Sequence, residues 1–257
     1  MQGKMVQGKM VKMLLPILGG IAVLLSGCAV NNEHLAKMPL FEARMDTIPG
    51  IDSPHQRKKA IREKGEKGAK APDSEKEILV AQLVLEYQTS PDPNMRREAV
   101  DALAKIPHPQ RDRHLQDILR DENMFVRLSA LEALGGKTYS GSVDELVSLL
   151  IHQIKIDPDK DIRATAIRIL GEVTPKDSAN DLHRSTVLEL GTLLHDRMPA
   201  VQYASMQSLG RITGKDYGND INRWLQLVRY VNGEVPELPA ERTFAEKMPR
   251  IALPMFK

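Results

Sequence analysis

Histidine and cysteine are the residues that a metal site would need, and their spacing predicts no such site. The chain has seven histidines and one cysteine. No two histidines stand four residues apart, the spacing that places two ligands on one helix face, and none has a cysteine partner. Zinc or iron chemistry is therefore not indicated. The histidines are His34, His55, His108, His114, His152, His183 and His195.

Other residue groups that could carry chemistry have simpler structural explanations. Gly214 and Lys215 lack the Gly-x-x-x-x-Gly-Lys-Ser/Thr spacing and a preceding hydrophobic strand, so we expect a turn there rather than a phosphate loop. Asp159 and Asp161 stand at a helix start, where carboxylates stabilise the positive end of the helix dipole. No Gly-x-Ser-x-Gly elbow or dinucleotide fingerprint is present. The sequence therefore predicts no catalytic residue, no metal and no cofactor.

The one cysteine, Cys28, follows a segment that is typical of a secretory signal. Residues 1–13 carry three lysines and no acidic residue, Leu14–Leu25 is apolar, and small residues precede Cys28. A lone cysteine cannot form an internal disulfide. The motif Leu25-Ser26-Gly27-Cys28 resembles the lipobox of bacterial lipoproteins. This resemblance implies that residues 1–27 are removed and that Cys28 is acylated.

The alternative for this segment is an uncleaved transmembrane helix, because residues 13–30 span 18 positions without a charge. Pro16 and Gly19 weaken such a helix. Ala29 is not the aspartate that retains lipoproteins in the inner membrane of enteric bacteria, so the resemblance implies the outer membrane. We therefore expect a lipid-anchored protein on the periplasmic side of the cell envelope.

Charge and composition divide the segments that follow the signal. Removal of Lys4, Lys9 and Lys12 would leave 33 of the 36 basic residues against 34 acidic ones, so no basic excess predicts nucleic-acid binding.

Residues 28–53 have little periodicity and indicate a tether. Residues 54–73 form a basic leader helix and linker. We expect this helix to be solvated, while contact with anionic headgroups is the alternative.

One helical pattern organises the chain and returns along it. In its clearest copy, Asp157 and Pro158 favour a helix start and Gly171 is expected to end the helix. Arg163 is followed by alanine three and leucine seven residues later, a helical spacing that predicts one buried stripe. The equivalent positions in the four copies are Arg96, Arg127, Arg163 and Gln202.

A second apolar helix precedes each copy, so the repeated unit is a helical hairpin. The arginine-equivalent positions 96, 127, 163 and 202 are 31, 36 and 39 residues apart, and a period of this length indicates a solenoid. The preceding helices are predicted at residues 75–87, 110–120, 143–155 and 182–194.

The copies resemble the second helix of HEAT repeats, including the bacterial class related to phycocyanobilin lyases, over residues 74–212. The resemblance implies an all-α fold, a right-handed α-solenoid of about four helical hairpins. It also implies that Arg96, Arg127 and Arg163 form a ladder with capping acids of adjacent repeats, weakened at Gln202. An arginine cluster for an anionic ligand is the alternative role.

The residues after the last repeat are expected to close the solenoid. A helix with Trp224 on its apolar face covers the open end, so the solenoid domain spans residues 74–232. Residues 213–224 resemble the closing segment of envelope HEAT-repeat lipoproteins of planctomycete-type bacteria. Prolines exclude a long helix in residues 233–257, which form either a loose tail or an extended strap.

Second helices line the concave face in HEAT repeats, and the resemblance implies a partner-binding stripe there. Residues one and five places after the arginine-equivalent position share a face turned away from the alanine and leucine stripe. Tyrosine and arginine are enriched at binding hot spots, whereas a solvated face of mixed charge is the alternative. The expected stripe is Arg97, Asp101, Leu128, Glu132, Ala164, Arg168, Tyr203 and Gln207.

We therefore expect a non-catalytic scaffold that binds an unknown envelope protein. The competing class is a lyase-like or chaperone-type HEAT enzyme acting on an envelope protein or cofactor, which the lyase relatives allow. A buried polar cluster would favour the enzyme, and the sequence indicates none.

Overall fold

The computed structural model describes residues 52–177 and 179–243, which form ten α-helices and one short 3₁₀ helix and contain no strand. The 3₁₀ helix, Leu193–His195, lies between α8 and α9. The ten helices are α1 (Pro54–Gly68), α2 (Asp73–Thr89), α3 (Pro93–Leu103), α4 (Pro109–Ile118), α5 (Met124–Leu134), α6 (Val143–Ile156), α7 (Lys160–Val173), α8 (Asp181–Thr192), α9 (Pro199–Thr213) and α10 (Ile221–Val231).

Several expectations fall outside the described residues. Residues 1–51, with the signal segment, Cys28 and most of the tether, are among them, and so are Ser178 and residues 244–257. Within the ranges that are described, no helix is long and apolar enough to cross a membrane.

The helices stack in two layers. The odd-numbered helices pack in the order α1, α3, α5, α7 and α9, and each even helix from α2 to α8 packs against the odd helix that follows it. We call these the odd layer and the even layer. The odd layer holds the arginine-bearing helices, and α10 joins the even layer beside α8. The architecture is therefore the expected all-α repeat of helical hairpins.

Small and branched side chains fill the space between the layers. The alanine position of the repeat is fully buried in all four copies, and so is the leucine position. Small side chains let neighbouring helices approach, and leucines fill the volume that remains. These residues are Ala99, Ala130, Ala166 and Ser205, and Leu103, Leu134, Leu170 and Leu209.

Short polar side chains begin the odd helices. The side chains of Asp92, Asn123 and Asp159 accept a hydrogen bond from the backbone N–H two residues ahead, at 2.9, 3.0 and 2.8 Å. Each cap satisfies a backbone donor that the helix leaves without an internal partner.

Both expected boundaries of α7 were wrong. Its N-cap is Asp159 rather than Asp157, because the Asp157 side chain binds Arg127 of the preceding odd helix. Gly171 lies inside α7, which continues to Val173. A Cβ atom at Gly171 would lie 2.6 Å from the Ser208 Cβ, so this glycine permits close approach of α9 rather than ending the helix.

The basic helix α1 is part of the packed domain, so the expectation that it is solvated is wrong. Its Ile61 is 1% exposed, and Gly65 and Gly68 are also buried. A Cβ atom at Gly65 would lie 2.8 Å from the backbone oxygen of Ala102 in α3. The glycines that weaken the helix in the sequence therefore bring it against α3.

Acidic side chains of the first hairpin pair with the basic residues of α1. Arg62 pairs with Glu98 of α3 at 2.5 Å, Lys64 with Glu86 of α2 at 3.2 Å and Lys67 with Glu75 of α2 at 2.6 Å. These partly exposed pairs each contribute little to stability, but they orient the helix. Much of the positive charge of α1 is therefore paired with carboxylates of α2 and α3. This pairing does not favour the alternative in which α1 contacts anionic lipid headgroups.

The C-terminal end of the repeat is covered by α10 and by the start of the tail. Trp224 is 2% exposed, packs edge-to-face on Tyr217 with ring centroids 4.9 Å apart, and donates a hydrogen bond to the Gly218 oxygen at 2.9 Å. The Tyr217 hydroxyl donates to the Pro239 oxygen at 3.2 Å. The described part of the tail, up to Thr243, is thus a strap on the turn before α10.

Candidate protein-binding face

An arginine–aspartate ladder couples successive hairpins of the odd layer. Arg96 donates to both carboxylate oxygens of Asp121, at 2.9 and 3.0 Å. Arg127 makes the same two-pronged contact with Asp157, at 2.9 and 3.1 Å. Arg163 reaches Asp196 with one contact at 3.5 Å, so the ladder loosens towards the C-terminus. This planar two-bond geometry is the arrangement in which arginine binds carboxylate most strongly.

The same arginines also bind the backbone of their own repeat. The Nη1 atom of Arg127 donates to the oxygens of Asp121 and Glu122 at 3.0 and 3.3 Å, and Arg96 and Arg163 make equivalent contacts. Gln202 keeps only the backbone contact, to the Asp196 oxygen at 2.7 Å. The ladder arginines are therefore engaged internally, which does not favour their alternative role as a site for an anionic ligand.

The pKa of Asp121 reflects its contact with Arg96, one arginine–aspartate rung of the ladder. Burial would raise the pKa of this carboxyl, but hydrogen bonds from Arg96, the Asn123 backbone and Tyr87 outweigh burial and hold the pKa below its usual value. Burial, with the hydrogen bond to Asp121, raises the pKa of Tyr87 to about 12. The carboxylate is therefore ionised and the phenol neutral across the physiological range.

The structure places the expected binding stripe on the surface of the odd layer. Tyr203 is 52% exposed and accepts a hydrogen bond from Gln207 at 2.6 Å. Arg97 pairs with Asp101 at 3.7 Å. Leu128 is half-buried and packs against the core, so it offers less surface than a fully exposed leucine.

A chain of charges crosses the odd layer through this stripe. Arg168 of α7 lies 3.9 Å from Glu132 of α5 and 3.1 Å from Glu172, and Glu172 also binds Arg211 of α9 at 3.1 Å. Sequence reasoning missed Glu172 and Arg211, although both stand nine residues after an arginine-equivalent position. It also missed Phe125, which is 55% exposed at the start of α5.

A groove beside Tyr203 completes this face. It encloses about 340 Å³ between α7 and α9, with Ala164, Ala200 and Ala204 among its lining residues and Arg168 and Arg211 at its sides. Small side chains below an exposed tyrosine and two arginines form a surface that a partner side chain can enter.

A buried polar cluster, which the sequence did not indicate, lies in the even layer. Arg111 is fully buried, forms an ion pair with the adjacent Asp112 and donates to the Thr138 hydroxyl at 2.6 Å. Asp112 accepts hydrogen bonds from the backbone N–H and the hydroxyl of Ser140, at 2.9 and 2.5 Å. The feature that was expected to favour the enzyme class is therefore present, but its hydrogen bonds are satisfied within the protein and fix the loop of residues 135–142.

The titratable residues of the described ranges do not converge on a metal. No group of three or more histidine, cysteine or acidic side chains in residues 52–177 and 179–243 could hold an ion.

Comparison with known proteins gives one family match. The family model of HEAT repeats matches residues 52–135 and 80–153. Over residues 52–153 the chain is similar to HEAT repeats. The match begins before α1, in agreement with the packing of that helix on the first hairpin. HEAT-like repeat solenoids are typical of protein-binding scaffolds and are usually non-catalytic.

Solved structures of low similarity include two repeat or engineered proteins. A crystal structure of an engineered protein is 19% identical, with 73% of this chain and 94% of that chain covered and a TM-score of 0.42. A designed armadillo repeat protein is 14% identical, with 75% and 90% covered and a TM-score of 0.40. No curated protein matches the chain in sequence.

Proposed function

We propose that this HEAT-repeat protein is a lipid-anchored scaffold of the cell envelope and binds a partner protein through the odd layer. The observation that carries the proposal is the surface around Tyr203, where an exposed aromatic ring, two arginines and a groove lie together across α7 and α9. Aromatic and arginine side chains next to a pocket dominate the energy of many protein interfaces.

The lipid anchor rests on the Leu25-Ser26-Gly27-Cys28 motif after an apolar segment. Acylation of Cys28 would place the repeat domain on the periplasmic side of a membrane, and Ala29 favours the outer membrane. Cys28→Ser is expected to abolish acyl labelling and leave an unprocessed precursor. A processed, acyl-labelled Cys28→Ser protein would contradict the anchor but not the binding face.

Partner binding is tested by affinity capture from detergent-solubilised envelope followed by mass spectrometry. We expect Tyr203→Ala with Arg168→Ala to abolish capture of the partner while the melting temperature stays within a few degrees, because both side chains are exposed or half-exposed. Tyr230→Ala with Arg229→Ala is the matched control, since both residues are exposed on α10, which packs beside α8 in the even layer. Capture by the folded Tyr203 and Arg168 variant would place the interface elsewhere.

A further inference from the structure

The even layer is open between α4 and α6. Contact between these two helices is slight at most, whereas α8 and α10 pack closely on each other. A cleft of about 770 Å³ occupies this place, a volume within the range of ligand pockets. We call it the loop cleft, because residues 139–141 of the loop between α5 and α6 form part of its lining.

The buried cluster of Arg111 and Asp112 builds this cleft. Asp112 is itself a lining residue, and its hydrogen bonds to Ser140 hold the loop next to α4. Thr138 binds both Arg111 and the Ala104 oxygen, at 2.6 and 2.9 Å. A buried ion pair is a poor source of stability compared with apolar packing. Here the hydrogen bonds of Arg111 to Thr138 and of Ser140 to Asp112 tie the loop to α4. The cluster therefore gives the cleft a fixed wall.

Polar side chains without protein partners surround the loop cleft. Five of them are Arg113, Gln116, Asp144, Ser148 and His152. Within the described ranges, none of these five side chains has a hydrogen-bond or ion-pair partner, and together they supply both donors and acceptors. This contrasts with the odd layer, where Arg168, Glu172 and Arg211 bind one another.

The chemistry of the lining favours one class of ligand. Arg113 is balanced by Asp144, and Glu145 is partly used in the capping box with Ser142, so neither a cation nor an anion is strongly favoured. Tyr139 adds a half-buried aromatic ring. Burial, followed by the nearby Glu145 and Asp112 carboxylates, raises the pKa of Tyr139 above its ordinary value, so its hydroxyl stays a neutral donor.

We propose that the loop cleft binds a neutral, hydroxyl-rich saccharide. Sugar hydroxyls are both donors and acceptors, which matches amide, carboxylate, hydroxyl and imidazole groups arranged around one space. The apolar face of a sugar ring would lie against Tyr139, as large aromatic rings provide contact area at low entropic cost. The site is separate from the surface around Tyr203 and does not depend on it.

The test uses an array of neutral oligosaccharides, built from hexoses and N-acetylhexosamines, and titration calorimetry with the members that bind. We expect Gln116→Ala with Asp144→Ala to weaken binding at least about tenfold, because two hydrogen-bonding groups are lost. Gln82→Ala with Asp117→Ala is the matched control, since these exposed residues of the same types lie in the even layer outside the cleft. The control is expected to bind as the parent does.

The outcomes separate this proposal from the protein-binding face. If the cleft variant loses oligosaccharide binding and the Tyr203→Ala with Arg168→Ala variant keeps it, the result supports the saccharide site independently of the protein-binding face. No binding across the array, or equal affinity in the cleft variant and its control, would each overturn it. The substituted side chains are exposed and have no partners, so we expect the cleft variant to keep the melting temperature of the parent. Measuring that temperature checks that the variant is folded.

Discussion

Arg127 of α5 and Asp157 at the end of α6 are joined by two hydrogen bonds, at 2.9 and 3.1 Å, across 30 residues of sequence. The Asp157 side chain is 2% exposed and also accepts from Gln153 at 2.7 Å. One carboxylate therefore links two hairpins and the end of a helix.

Arg127→Met is expected to destabilise the protein by about 3 to 5 kcal/mol, because it leaves the buried Asp157 carboxylate without its guanidinium partner. Arg163→Gln is the matched control at the loosened rung, and a glutamine can keep the backbone contact that Gln202 makes. We expect it to cost less than about 1 kcal/mol. Urea unfolding of both variants measures the difference. Equal losses would show that the two rungs are equivalent.

Stability is expected to depend on pH through Asp121. Its folded pKa lies below the unfolded value, so the carboxylate contributes stability above its unfolded pKa, and this contribution is lost as pH falls through the folded pKa. Asp121→Asn should therefore be less stable than the parent at pH 7, and the gap should narrow below about pH 4. A gap that stays constant with pH would contradict the assignment. Denaturant titrations at several pH values measure it.

Ser205→Ala is expected to stabilise the protein by about 1 kcal/mol. The buried Ser205 hydroxyl has no hydrogen-bond partner within the described residues, and the other three copies carry alanine at this position. Ser208→Ala is the control on the same helix, because the Ser208 hydroxyl donates to the Ile167 oxygen at 2.8 Å. That change is expected to destabilise by about 1 kcal/mol. Thermal unfolding of the two single variants should shift in opposite directions.

Trp224→Ala is expected to cost about 3 to 5 kcal/mol, the usual penalty for truncating a buried aromatic side chain. The lost contacts include the ring of Tyr217 and the hydrogen bond to Gly218. Thermal unfolding measures the effect. Leu238→Ala, an exposed position in the strap, should leave the melting temperature almost unchanged. An unaltered melting temperature in the Trp224 variant would show that α10 does not close the repeat.

The periodic part of the fold could be predicted from the sequence because each repeat carries its own evidence. Arginine, alanine and leucine at fixed intervals indicated the odd helices. Helix α1 was predicted to lie outside the domain because Ala60 and Ile61 are its only apolar residues after the cap and two glycines weaken it. Yet Pro54, Arg57 and Ile61 stand 39 residues before Pro93, Arg96 and Val100, so the repeat signal was present.

The loop cleft could not be predicted in the same way. Arg111 and Thr138 are 27 residues apart and belong to no repeated position, so no periodicity joins them. The boundary error at Asp157 has a related cause. Two helix starts were available within three residues, and a contact to Arg127 in another hairpin decided between them. Local propensity cannot report such long-range contacts.

The loosening of the ladder changes what holds neighbouring hairpins together. Two-pronged, largely buried guanidinium–carboxylate rungs join α3 to α5 and α5 to α7. Between α7 and α9 the charged contacts are a single one from Arg163 to Asp196 and an exposed one from Arg211 to Glu172. The close approach of Gly171 to Ser208 and the Ser208 hydrogen bond also join these two helices. Guanidinium ions compete with arginine for carboxylates, and urea does not carry charge. Relative to urea, guanidinium chloride should therefore weaken the two buried rungs more than the junction of α7 and α9. The N-terminal repeats would then lose a larger share of their coupling in guanidinium chloride than in urea.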